Sequence, residues 1–265
     1  MERTTQRFGW IPDLPDRRDY FFSAPGSILT QLPRQVDLRP QCPPVYDQGQ
    51  IGSCTGNAIA AAIEFDRLKN KQTPDFVPDR LFIYYNERTM EGTINSDSGA
   101  MLRDGIKSTH RQGVCPESLW PYDGSPTSDN GGKNTKVFQR PPANCYTEAA
   151  KHKITSYLRL IQTTNQLRGC LAAGYPFVFG FTVYESFLSD QVRTSGQVPM
   201  PGDGEAPVGG HAVLAVGYND GAQVFIVRNS WGSGWGQQGY FRMPYAYLID
   251  PTLASDFWTI RTVAS

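Results

Sequence analysis

The sequence predicts an α+β fold, with helices first and strands later. One alanine-rich run from Cys54 to Asn70 has helical spacing, and β-branched or aromatic runs gather towards the C-terminus, at Pro176–Val183, from His211 and from Val224. The 265 residues, with 26 Gly, 20 Pro and 12% aromatics, describe a loop-rich folded chain long enough for one large domain or two lobes around a cleft.

Taken in order, residues 1–31 are polar and proline-punctuated, with aromatics at Phe8, Trp10, Tyr20, Phe21 and Phe22, and read as an extended arm. Pro33, Pro40, Pro43 and Pro44 then disfavour helix and give an extended lead-in. In CTGNAIAAAIEFDRLKN, Ala58, Ala61, Ala62, Phe65 and Leu68 recur at steps of three and four, so a largely buried helix starts near Ser53. Two further helices are expected, one around Pro78–Glu91 and one around Gly99–Gln112 closed by a left-handed Gly113. Asp123–Asn144 lacks periodicity and reads as a long surface loop before a lobe boundary. The strands follow, with His211 opening HAVLAVGY directly after the small-residue loop Gly202–Gly210.

Charge narrows the function. With 25 basic and 25 acidic residues interspersed, no long-range field gathers phosphates or anionic lipid, and neither a nucleic acid nor a membrane partner is expected. No run approaches the roughly 20 apolar residues of a membrane span, and Met1–Pro15 lacks the basic-then-apolar order of a signal peptide. Of five cysteines, Cys42, Cys115, Cys145 and Cys170 fit either two bridges or free buried thiols. Metal-ligand spacing is absent, so no metal is expected.

Cys54 is the exception among these thiols. A thiol attacks a carbonyl only as thiolate, which a helix N-terminus and a nearby histidine both favour. Gln48, six residues upstream in QGQIGSC, is near enough for its amide to donate to an oxyanion beside the Cys54 N–H. His110 and His152 lie in polar surroundings that suit the surface, whereas His211 adjoins an apolar strand. An antiparallel neighbour ending in Arg228-Asn229-Ser230-Trp231 can bring the Asn229 amide oxygen to the imidazole, with Trp231 shielding that bond.

Together QGQIGSC, GGHAVLAVGY and RNSWGSGWGQQGYFRM resemble the three active-site blocks of papain-like cysteine peptidases, in the same order and at similar spacing. The resemblance runs from about Leu32 to the C-terminus and includes GVCPESLWPY. It implies a two-lobe fold, with a helical lobe at about 45–145, an antiparallel β-barrel-like lobe at about 146–265 plus 32–44, and a cleft between. It implies Cys54 as nucleophile, His211 as general base then acid, Asn229 as its orienting residue, Gln48 in the oxyanion hole, and a thiolate–imidazolium pair that needs no cofactor. Ile51 and Thr55 stand where the family commonly has Cys and Trp, which removes one familiar disulfide but leaves the mechanism.

By the same resemblance, Ser98, Gly99 and Ala100 form a wall for the substrate backbone, with Gly210 and Trp231 nearby. Met101, Leu102, Val208 and Ala212 line a pocket favouring an apolar residue two places before the cut. The expected activity is thus peptide hydrolysis through a thioester by a monomer acting on peptides or proteins. A transpeptidase or amidase on the same scaffold, or a silent peptide-binding module, are the alternatives. The family's long helical propeptide is missing, which makes residues 1–31 the candidate cleft blocker, an inhibitory pro-segment.

Overall fold

The computed structural model describes residues 7–263. Helix α2 is the axis on which the site depends. It spans Cys54–Lys69 and is buried from Cys54 to Arg67, because its small residues let it lie between the sheet and the other helices. Gly56 permits one such approach, since a Cβ there would come 2.7 Å from the Arg80 carbonyl oxygen.

Before it lie β1 (Phe21–Phe22), α1 (Gly26–Leu29) and β2 (Gln35–Asp37). After it, α3 (Arg80–Glu91) starts where the Asp79 carboxylate accepts the Phe82 N–H at 2.9 Å, and ends at left-handed Gly92. Helix α4 (Leu102–Gln112) stops at Gly113, whose φ of 82° and ψ of −164° are not the expected left-handed cap. The chain instead leaves extended beneath α5 (Ala143–Ala149), where a Cβ on Gly113 would meet the Ala149 carbonyl at 1.7 Å. The segment expected as a bare loop is pinned down: Val137 is buried, and its carbonyl accepts the Arg88 guanidinium at 2.5 Å.

The remaining elements are β3 (Ile154–Leu160), α6 (Thr164–Ala172), β4 (Phe177–Tyr184), α7 (Asp190–Ser195), β5 (Pro207–Asn219), β6 (Val224–Arg228), β7 (Tyr240–Pro244), α8 (Tyr245–Ile249) and β8 (Ala254–Val263). The strands form one sheet in the order β1-β3-β8-β4-β5-β6-β7, with β2 on β5; the β1–β3 pairing alone is parallel. Where the resemblance implied a barrel-like lobe, this sheet stays open, with β1 and β7 at opposite ends of the path. Rings from β4, β6 and β8 fill its core, with Phe179 stacked on Phe257 at 5.4 Å.

Strand β5 is buried without a break from His211 to Tyr218, because α2 covers one of its faces. His211 is its fifth residue, not its first: Gly209 and Gly210 already pair with Val183 and Thr182 of β4. His152, expected at the surface, is 8% exposed and packs its ring 4.7 Å from that of Phe76. All five cysteines are unpaired. Among the described residues no helix is long and apolar enough to cross a membrane.

Candidate active site

Cys54 is the first residue of α2, and its thiol is fully buried at the helix's positive end. The Ala212 N–H of β5 donates to Sγ at 3.4 Å, which sets the thiol beside the strand that carries His211. The antiparallel β5–β6 pairing brings Asn229, next after β6, back to that histidine. Nε2–H of His211 donates to Asn229 Oδ1 at 2.8 Å, leaving Nδ1 without a hydrogen-bond partner on the buried side. Trp231 stacks on the imidazole at 4.7 Å and 25°, shielding that bond from water.

Gln48 approaches from the loop before α2. Its Oε1 accepts the Ser230 hydroxyl at 2.7 Å, which turns the amide so that Nε2 donates to Ile51 O at 3.0 Å and to Arg7 O at 3.2 Å. A thiol at a helix N-terminus, an oriented imidazole and a converging amide donor form the set that acyl transfer through a thioester needs.

A family model described as papain family cysteine protease matches residues 32–248. The chain belongs to that family. It is 42% identical to an uncharacterized peptidase C1-like protein of Acanthamoeba polyphaga mimivirus, over 98% of this chain and 88% of the other. It is similar to the crystal structure of xylellain, a cysteine protease from Xylella fastidiosa, with a TM-score of 0.92, 48% identity, and coverage of 99% of this chain and 98% of that one. Procathepsin B S9 from Trypanosoma congolense shares the fold at a TM-score of 0.74 and 16% identity, covering 98% and 87%. Such proteins are hydrolases that cut peptide bonds, and this papain-like cysteine protease is one of them.

In this protease residues 7–13 run beside the catalytic pair. The Gly9 carbonyl accepts the Ala100 N–H at 2.7 Å, the Ile11 N–H donates to Ala100 O at 3.0 Å, and the Trp10 N–H donates to Gly210 O at 2.9 Å. Glycines make the room: a Cβ on Gly9 would come 1.7 Å from Gly52 O, and one on Gly180 would come 1.9 Å from the Trp10 ring. The Phe8 ring lies 6.3 Å from both His211 and Trp231. At the far end of the Trp10 ring, Nε1 donates to Asp256 Oδ2 at 3.1 Å.

This cover decides the charge state. Burial pushes the Cys54 thiol up to about 12 and the His211 imidazole down to about 4, both of which favour the neutral pair over the thiolate–imidazolium while these groups stay covered. The physical reason is that both groups are fully buried, so that either ion would lose its solvation.

The other expected residues separate into two groups. Gly99, Ala100, Gly210, Ala212 and Trp231 all touch the arm or the catalytic pair. Ser98 is exposed beside the wall, Met101 spends its N–H on Glu91 at 2.8 Å, Leu102 is fully buried in the core as the first residue of α4, and Val208 stays 40% exposed. Three residues went unread. Ser230 stood in the quoted RNSW block, and Asp97 directly precedes the wall. Asp256, a buried non-glycine residue held at a φ of 59°, carries no signal in the sequence.

Proposed function

We propose that this protease is made with its cleft closed by its own N-terminal arm, and that it acts as an endopeptidase once the arm leaves. The observation that carries this is the contact of the arm's Arg7 carbonyl with the Gln48 amide, while Gly9 presses on Gly52 two residues from the nucleophile. An arm in that position keeps a substrate carbonyl out.

After release, water returns to the cleft and the proton of Cys54 passes to His211 Nδ1. The thiolate Sγ attacks the scissile carbonyl carbon, and the oxyanion is held by Gln48 Nε2 and the Cys54 N–H. His211, kept in register by Asn229, gives its proton to the leaving amine as the C–N bond breaks. It then takes a proton from water, which hydrolyses the thioester. No step calls for a metal or an organic cofactor.

Continuity of the arm on both sides of Cys54, from Arg7 to Asp13, supports cleavage within a polypeptide. The space that Trp10 fills between Gly180, Gly210 and Ala100 supports a bulky, largely apolar side chain two places before the cut. The substrates are peptides or unfolded protein segments, taken by a monomer.

The test is hydrolysis of a fluorogenic dipeptide with Leu or Phe before Arg, under reductant, by the full chain and by Cys54→Ala. Cys54→Ala should abolish a rate that the full chain shows and increases when its arm is loosened. A rate that survives Cys54→Ala assigns the chemistry elsewhere.

A further inference from the structure

We propose that Cys115 and Cys145 form a redox cross-linking site: a buried dithiol that a low-molecular-weight disulfide converts into an intrachain disulfide, closing the segment that braces the nucleophile's loop.

The two cysteines meet from opposite ends of that segment. Cys115 follows the end of α4 at Gly113, and Cys145 lies in the first turn of α5. Both are fully buried, and their sulfurs and a carboxylate oxygen of Asp79 all lie within 4.8 Å of one another. It is the one such group of three among the described residues. A disulfide brings its sulfurs to about 2.05 Å, a closure for which rotation about two Cα–Cβ bonds is available. Cys42 and Cys170, by contrast, each turn the thiol to a carbonyl, Leu38 O at 3.4 Å and Tyr175 O at 3.5 Å.

Asp79 supplies the base. Its N–H donates to Cys115 O at 2.9 Å, its Oδ2 accepts the Cys115 thiol at 3.6 Å, and its Oδ1 caps α3. Burial pushes this carboxyl up to about 7 against the pull of the Phe82 N–H, so near neutral pH it can take the proton that Cys115 gives up. The Cys115 thiolate attacks one sulfur of the small disulfide and expels a small thiolate. Cys145 then attacks the Cys115 sulfur and expels the second. Two protein thiols lose two electrons, one small disulfide is reduced to two small thiols, and these carry away the two protons. Exchange takes place as α5 docks, since only Cys145 and Ala149 of its seven residues are buried and hold it down. A metal ion is the poorer fit, because three donors fall short of the four that close a structural site.

The segment between the two cysteines props the loop before α2. The Tyr122 hydroxyl donates to Gln48 O at 3.0 Å and lies 2.6 Å from Ser53 Oγ, while Gly124 O accepts the Gln50 N–H at 2.8 Å. Fixing both ends of the segment removes freedom from the unfolded chain and keeps these props in place.

The experiment refolds the full chain in a glutathione buffer rich in the disulfide form, traps thiols with iodoacetamide in denaturant and maps the peptides by mass spectrometry. Cys115 and Cys145 should appear in one linked peptide that dithiothreitol separates. A closed ring of about thirty residues should raise Tm by about 5–10 °C over the reduced chain. Cys145→Ala should lose both the link and the rise, with Cys145→Ser as the second variant should alanine fail to fold; the map of the parent chain decides without either. Alkylation of both cysteines overturns the proposal, as do glutathione adducts without a link. Protection that a chelator removes and a reductant does not assigns the cluster to a metal and overturns it too. A linked peptide with a Tm rise below about 2 °C overturns the bracing.

Discussion

Replacing Gly9 by alanine is the sharpest test of the arm, because it adds one methyl group and removes nothing. That methyl would sit 1.7 Å from the Gly52 carbonyl oxygen and 2.5 Å from its carbon, both backbone atoms in the turn that holds Cys54. The turn is fixed by Asp97 and cannot yield without moving the nucleophile. The arm must retreat by more than about 1 Å, beyond the reach of the bonds at Ala100, Gly210 and Gln48. Overpacking of this kind costs about 1–3 kcal/mol, and each lost hydrogen bond about 1 kcal/mol net. A conservative sum of about 2–4 kcal/mol shifts the closed-to-open equilibrium about 30- to 1,000-fold. The readouts are the second-order rate of Cys54 alkylation by iodoacetamide and the rate of peptide hydrolysis. Both should rise together until the open state dominates. Gly26→Ala is the control, since a Cβ there meets nothing within 4 Å. Alkylation and hydrolysis within about twofold of the parent chain would refute the account of the arm as a cover.

Two more outcomes follow from the same contacts. The Asp13 carboxyl, which accepts from Arg103 N and Trp258 Nε1, is pushed up from 3.8 to about 7 by burial and then by the neighbouring Asp256 charge, against the opposing pull of Arg103. Asp256 is itself paired with Arg159, which also meets Asp19. A raised carboxyl means that the seated arm holds a proton which the released arm gives up, so seating is strongest below pH 3.8 and weakens up to about pH 7. The activity of the parent chain divided by that of Gly9→Ala should therefore climb across this window; a flat or falling ratio sinks the assignment. Asn229→Ala, which takes away the 2.8 Å acceptor of His211, should lower kcat about 10- to 100-fold in the Gly9→Ala chain with little change in KM. A change confined to KM would place Asn229 in binding rather than in orienting the imidazole.

Much of this was readable in the chain because local rules and tertiary needs coincide there. Cys54 to Lys69 has helical spacing and is the helix; the helix expected around Pro78–Glu91 is there as Arg80–Glu91; Asn229 directly follows a strand antiparallel to the one that carries His211. Reading failed where one residue type serves two purposes. Gly209 and Gly210 look like a loop, but they are strand residues left bare so that Phe8 and Trp10 can lie over them. Gly9, Gly52, Gly99 and Gly180 are scattered along the sequence, and each taken alone signals a turn or a bulge. Only the fold reveals them as one cradle, with Gly9 facing the backbone of Gly52, Gly99 facing that of Gly9, Gly52 facing Asp97 and Tyr84, and Gly180 facing the Trp10 ring. Acidic residues mislead in the same way. Nothing in the sequence marks Asp97 or Asp256 as buried, since sequence records no desolvation, yet both are: Asp97 faces the Arg7 guanidinium, and Asp256 accepts the Trp10 indole N–H and the Asp13 N–H. Composition singled out the aromatics and prolines of the arm, but the course of residues 7–13 past the catalytic pair is set by glycines and carboxylates contributed by the rest of the chain. The groups that hold residues 7–13 thus lie largely in the rest of the chain, which is why a methyl on Gly9 is expected to change access to Cys54 without removing any group that does the chemistry.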